Sequence, residues 1–121
     1  MILRARVVRG AGLGRKLGVP TANLAVPPQK KVPKGVFKVL VSGAKLGRER
    51  LGVCNVGVRP TVDSLPRRHV EVHIPRFRGD LYGSILKVTF KEKLRAEKRF
   101  PSLAALKAQI RRDIRTALRR K

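Results

Sequence analysis

The sequence predicts a mostly β protein, a small and mostly antiparallel barrel or curled sheet with one C-terminal helix packed on it. Three observations carry this reading. Up to position 90 the apolar residues recur in short runs separated by Gly and Pro, which punctuate strands and turns. From Pro101 onward the apolar spacing changes to three and four residues, the period of a helix. The chain has 121 residues, of which 42% are hydrophobic, enough to fill one domain spanning 1–121 around a core of its own.

Strands are expected over Ile2 to Arg9, Gly35 to Val41, Leu51 to Val56, His69 to Ile74 and Ser84 to Phe90, with a further short one around Thr21 to Leu24. In the last of these, Leu86, Val88 and Phe90 alternate with Ile85, Lys87 and Thr89, which sets one apolar row toward the core. The segment from Phe77 through Gly79, Asp80 and Tyr82 to Gly83 reads as a turn into that strand, and the mixed charges of Leu94 to Phe100 read as a solvated linker. Leu103, Leu106, Ile110, Ile114, Ala117 and Leu118 then make a single apolar stripe. Ser102 is the expected N-cap, without a Glu or Gln to complete a capping box. Lys107, Arg111, Arg112, Arg115, Arg119, Arg120 and Lys121 fill the other face or the tail, where cations suit the negative end of the helix dipole.

Thirty Lys and Arg against seven Asp and Glu give a net charge of +23, so the partners of this surface should be anions. Carboxylate chemistry is confined to Glu49, Asp63, Glu71, Asp80, Glu92, Glu97 and Asp113. A single cysteine, Cys54, excludes an intramolecular disulfide and a multi-thiolate zinc site and fits a reducing, cytoplasmic location. His69 and His73 cannot make up a metal cage by themselves. The N-terminus lacks the apolar core of a secretory signal, and no apolar run is long enough to cross a membrane.

The densest cluster of special residues runs from Gly10 to Asn23, with Gly10, Gly12, Gly14 and Gly18 beside Arg15 and Lys16. Glycines let the backbone turn its N–H groups onto one anion, although a flexible hairpin loop fits them equally. The spacing matches neither the P-loop nor the Rossmann pattern. In Pro20-Thr21-Ala22-Asn23 a hydroxyl and an amide lie two residues apart, hence on one face of an extended segment. They could orient a metal already held by a nucleotide, or simply stabilise a turn. In Val70-Glu71-Val72-His73-Ile74, Glu71 and His73 share the polar face of a strand. Glu71 there could act as a general base or merely face solvent.

In order and spacing these pieces resemble the riboflavin kinase domain, found alone and at the C-terminus of bifunctional bacterial FAD synthetases. The likeness is carried by Gly10-x-Gly12-x-Gly14-Arg15-x-Leu17-Gly18-x-Pro20-Thr21-Ala22-Asn23-Leu24, Pro33-x-Gly35-Val36-Phe37, Gly52 to Thr61, Glu71-Val72-His73, Gly79-Asp80-Leu81-Tyr82-Gly83 and Leu94-Arg95-x-Glu97-x-x-Phe100. The resemblance implies a six-stranded antiparallel Greek-key barrel with a C-terminal helix. It implies ATP-dependent phosphorylation of the riboflavin 5′-hydroxyl, giving FMN and ADP with Mg²⁺; a cytoplasmic monomer is the expectation. It assigns Thr21 and Asn23 to the nucleotide-bound Mg²⁺, Gly10, Gly12, Gly14 and Lys16 to the ATP phosphates, and Glu71 to the role of base. Ile74, Arg76 and Tyr82 then line the nucleotide pocket, and Arg95, Lys98 and Phe100 lie in the flavin loop.

Two positions depart from the family pattern: Leu13 stands where an Arg is frequent, and Val19 where Phe or Ile is usual. No adenylyltransferase domain precedes Met1, so FMN rather than FAD is the expected product. Binding one ATP needs only a few cations, so the net charge leaves an alternative, a basic β-barrel that binds RNA or DNA nonspecifically without kinase activity. Against it, the basic residues are spread along the chain, and a single Tyr, four Phe and no Trp make a sparse stacking platform.

Overall fold

Alternation of buried and outward-facing residues builds the sheet in the computed structural model, which describes residues 1–9, 21–27, 29–60, 66–98 and 100–119. In β1 (Ile2–Val8), Leu3, Ala5 and Val7 are buried while Ile2, Arg4, Arg6 and Val8 are exposed. The chain continues through β2 (Ala22–Leu24), β3 (Gly35–Ser42), a short 3-10 turn (Ala44–Leu46), β4 (Arg50–Pro60), β5 (Pro66–His73), β6 (Ile85–Arg95) and helix α1 (Leu103–Arg119). The strands close into a barrel in the order β1-β2-β5-β4-β3-β6, with every neighbouring pair antiparallel. Because β6 returns beside β3 after the β3-β4-β5 meander, the connection is a Greek key.

Antiparallel pairing makes β1, β3 and β5 run one way and β2, β4 and β6 the other. One end of the barrel therefore collects the residues on either side of the β1 to β2 connection, Arg9 and Thr21, together with segments 43–49 and 74–84. The opposite end collects segments 25–27, 29–34, 96–98 and 100–102. This division positions the site.

Small β-branched side chains suit a narrow barrel, and Val39, Val41, Val56, Val70, Val72 and Val88 are fully buried with Leu3, Leu86 and Cys54. Phe37 and Phe90 meet edge to face, with centroids 5.2 Å apart. A second cluster lies on the outer wall, where Val36, Val53 and Leu94 pack against Ile114 and Ala117 of α1. The Ser102 hydroxyl accepts from Ala105 N at 3.1 Å, the expected N-cap.

Several boundaries differ from the sequence reading. β4, β5 and β6 run past their apolar patterns, because hairpin and ladder partners satisfy backbone groups whatever the side chains are. Leu94 and Arg95 belong to β6 rather than to a linker; register shifts between Val36 and Phe37 and between Lys38 and Val39 swing this part of the strand onto the helix. Leu118, placed on the apolar stripe, is 40% exposed.

Candidate active site

Val70 and Val72 point into the core, so the period of two sends Glu71 and His73 to the outer wall of the barrel, as does the same alternation for His69. On the neighbouring strand Ala22 and Leu24 are buried, which turns Asn23 outward as well. Register then sets Asn23 of β2 opposite Glu71 of β5, and Glu71 opposite Asn55 of β4. A row of amide, carboxylate and amide crosses three strands, with Cβ atoms of directly opposed residues about 4.5–5.5 Å apart. Thr21 immediately precedes β2 and is half-buried.

Two features make this row chemically distinct. The Oδ1 of Asn23 is buried and has no hydrogen-bond partner among the described residues. Such an orphan oxygen costs about 1–3 kcal/mol unless something meets it. Glu71, by contrast, is held: His69 Nε2 lies 2.8 Å from its Oε1, so an imidazole N–H can donate to the carboxylate. Side-chain exposures of 27% for His69 and 24% for Glu71 leave the pair open to a ligand yet partly shielded from water. The carboxylate is felt inside the barrel too. Burial pushes the Cys54 thiol well above its usual range, and the Glu71 charge adds to that shift.

The segment after β6 folds back onto the same wall. Glu97 lies over Gly57, where a Cβ would collide with its carboxylate, and Gly57 is the cross-strand partner of His69. Glycine at position 57 is what admits this approach. Nearby, Lys98 Nζ and the Arg95 guanidinium lie 5.6 and 5.8 Å from the Phe100 ring centroid, so the structure brings these three residues together. Arg95 is anchored there: its Nε and Nη2 donate to the two carboxylate oxygens of Asp113 at 2.9 and 2.8 Å, and its Nη1 to Ala96 O at 3.0 Å.

The residues expected around the nucleotide gather at the other end of the barrel. Tyr82 is 48% exposed, and the Arg9 guanidinium stacks 4.4 Å from its ring centroid. The Gly83 N–H donates to Val7 O, tying this loop to the end of β1. Arg76 is exposed in a turn with φ 63°, a left-handed conformation uncommon outside glycine. Ile74 is only 5% exposed and packs in the main core, so it shapes this end from inside. Gly10, Gly12, Gly14 and Lys16 lie outside the described residues. Glu71 thus stands on the wall between an end that holds Thr21, Arg76 and Tyr82 and an end that holds Lys98 and Phe100.

Sequence reading missed His69, Asn55 and Glu97. The spacing 69, 71, 73 on one strand already places His69 beside Glu71, but only the sheet register reveals Asn55, and only the approach to Gly57 reveals Glu97. A cleft of about 550 Å³ lies between the C-terminal half of α1 and β3, β4 and β6, lined by Lys38, Leu40, Leu51, Lys91, Glu92, Ala117 and Leu118, none of which belongs to the row.

Comparison with known proteins places the whole chain in a family. The flavokinase family model, described as riboflavin kinase, matches residues 1–120. The chain is 47% identical over 116 residues to the bifunctional riboflavin kinase/FMN adenylyltransferase of Escherichia coli K12, covering 95% of this chain and 36% of that protein. It is 39% identical over 120 residues to the RNA-binding riboflavin kinase RibR of Bacillus subtilis, covering 98% of this chain and half of that one. Among solved structures, a riboflavin kinase from Trypanosoma brucei shares the fold with TM-score 0.63 at 24% identity, over 96% of this chain and 76% of that chain. A protein from Streptococcus pneumoniae described as a macrolide-efflux protein superposes with TM-score 0.86 at 30% identity, over 96% of this chain but 38% of its own. The chain spans little more than a third of the bifunctional relatives' length.

Proposed function

The chain belongs to the riboflavin kinase family, and from that membership we propose that it transfers the γ-phosphoryl group of ATP to the 5′-hydroxyl of riboflavin, giving FMN and ADP. The observation that carries the reading is the direct opposition of Asn23 and Glu71 on the outer wall, between the two loop-bearing ends of the barrel. Glu71 accepts the proton of the ribityl 5′-hydroxyl as its oxygen attacks the γ-phosphorus in line. The new O–P bond forms, the bond to the β-phosphate oxygen breaks, and ADP leaves. Phosphoryl transfer passes through a loose transition state, so positioning and charge neutralisation supply most of the rate, and the base contributes about 10²–10⁴-fold.

The donor set fits a nucleotide-bound Mg²⁺. The orphaned Asn23 Oδ1 and the Thr21 hydroxyl are hard oxygen donors, and neutral ligands suffice for an ion that phosphates already hold. When bound, Mg²⁺ would neutralise charge on the phosphates. Gly10, Gly12, Gly14 and Lys16 are assigned to the phosphates, Arg76 and Tyr82 to the nucleotide, and Lys98 and Phe100 to the flavin. Ile74 supports the nucleotide end through the core, and Arg95 positions the flavin loop through Asp113. A buried, unpaired Cys54 suits a reducing cytoplasm. Among the described residues no helix is long and apolar enough to cross a membrane.

Chromatography of riboflavin incubated with the purified protein and ATP tests the reading. FMN should form with Mg²⁺ and not in its absence; no FMN with Mg²⁺ present would exclude it. The net charge of +23 and the RNA-binding relative favour an additional reading, nonspecific nucleic-acid binding, which does not depend on the kinase.

A further inference from the structure

Helix α1 is anchored to β4 and β6 through Ile114, Ala117 and the buried Gln109 and Asp113, which leaves Arg111, Arg112, Arg115 and Arg119 exposed on its outer side. Asp113 is the helix's one acid, and it is already bound to Arg95. The arginine face therefore has no carboxylate of its own helix to balance it. Arg111, Arg115 and Arg119 follow at steps of four, a row about 12 Å long at about 1.5 Å per residue. Like charges at that spacing repel and oppose the helix. An extended anion laid along the row relieves that repulsion.

The chemistry of the face selects the partner. A guanidinium forks onto phosphate oxygens in a bidentate manner, and a row of them matches a chain of evenly repeated phosphates. A single triphosphate does not account for it, because Asn23 and Glu71 lie on β2 and β5 and only Asn55 brings the row onto β4, whereas the arginines lie on the side of α1 turned away from β4 and β6. An anionic bilayer fits poorly, since an interfacial helix needs a large apolar face and that of α1 is committed to the barrel; Leu118 is its one exposed large apolar residue among the described ones. We propose that the arginine row of α1 docks the phosphodiester backbone of a nucleic acid, without reading base sequence. This rests on the additional reading above, and it gives that reading a location.

The test titrates labelled single-stranded RNA and duplex DNA oligomers with the whole protein at several salt concentrations. It compares wild type with R111Q/R115Q/R119Q and with K30Q/K31Q/K34Q, which removes the same charge from the exposed segment before β3. Circular dichroism and FMN formation check that both variants fold. The expected result is binding of both nucleic acids by wild type. The helix variant should bind at least about tenfold more weakly and show a log K versus log salt slope shallower by about 2–3. The loop variant should lose distinctly less. Equal losses in the two variants, or no loss in the helix variant, would overturn the assignment to α1 while leaving nucleic-acid binding standing. A wild type that binds neither oligomer would overturn the proposal and the additional reading together.

Discussion

Asn23 and Glu71 face each other across the β2–β5 ladder, and both project from the outer wall of the barrel rather than into its core. That one register fixes the distance between a neutral oxygen donor and a carboxylate without help from any loop. Two rigid strands hold the pair, and a slip of either strand by one residue would turn its member inward among the valines. The ladder therefore supplies preorganisation that a site built on loops would lack.

The orphaned oxygen of Asn23 predicts a division between stability and function. Asn23→Ala removes a buried oxygen that has no partner among the described residues. Its melting temperature should stay level or rise slightly, while the KM for MgATP rises about tenfold or more, corresponding to about 1.4 kcal/mol or more of lost binding. Thr21→Ala should move the same kinetic constant. Thermal melts and ATP titrations of the two variants check this.

The Arg95–Asp113 pair behaves differently, because both partners are largely withdrawn from water and doubly bonded. Asp113→Ala leaves a partly buried guanidinium without its counterion and should cost about 3–5 kcal/mol in urea unfolding. The double variant R95M/D113L, which removes both charges together, should recover much of that loss.

Cys54 lies fully inside the barrel, with its thiol held protonated by burial and by the nearby Glu71 charge. Folded protein at about pH 8 should resist alkylation and become reactive in denaturant, since the thiolate is the nucleophile. The folded state keeps a proton that the unfolded chain releases near the ordinary value of 9.0, so stability should fall as pH rises past that point. Cys54→Val should lack this part of the decline when unfolding is followed across the alkaline range.

The barrel was legible in the sequence wherever one face of a strand is apolar: β1 and the first half of β6 alternate cleanly, and Ser102 marks the helix start. Legibility failed where pairing rather than burial holds the chain. The outer arms of β4 and β5 carry polar residues and prolines, and the end of β6 turns onto the helix through register shifts that leave no local pattern. For the site, Thr21, Asn23 and Glu71 could be named from motif resemblance, yet their opposition is a property of the closed sheet. Glu97 could not be placed at all, because its position depends on a missing side chain at Gly57, forty residues away.

The most direct test of the central claim is the single-turnover rate of FMN formation by Glu71→Gln against wild type, each saturated with MgATP and riboflavin. Glutamine keeps the shape but cannot take a proton, so a folded variant should bind both substrates and react about 10²–10⁴-fold more slowly. A correctly folded Glu71→Gln protein that makes FMN at the wild-type rate would contradict the assignment of this wall of the barrel to the chemistry.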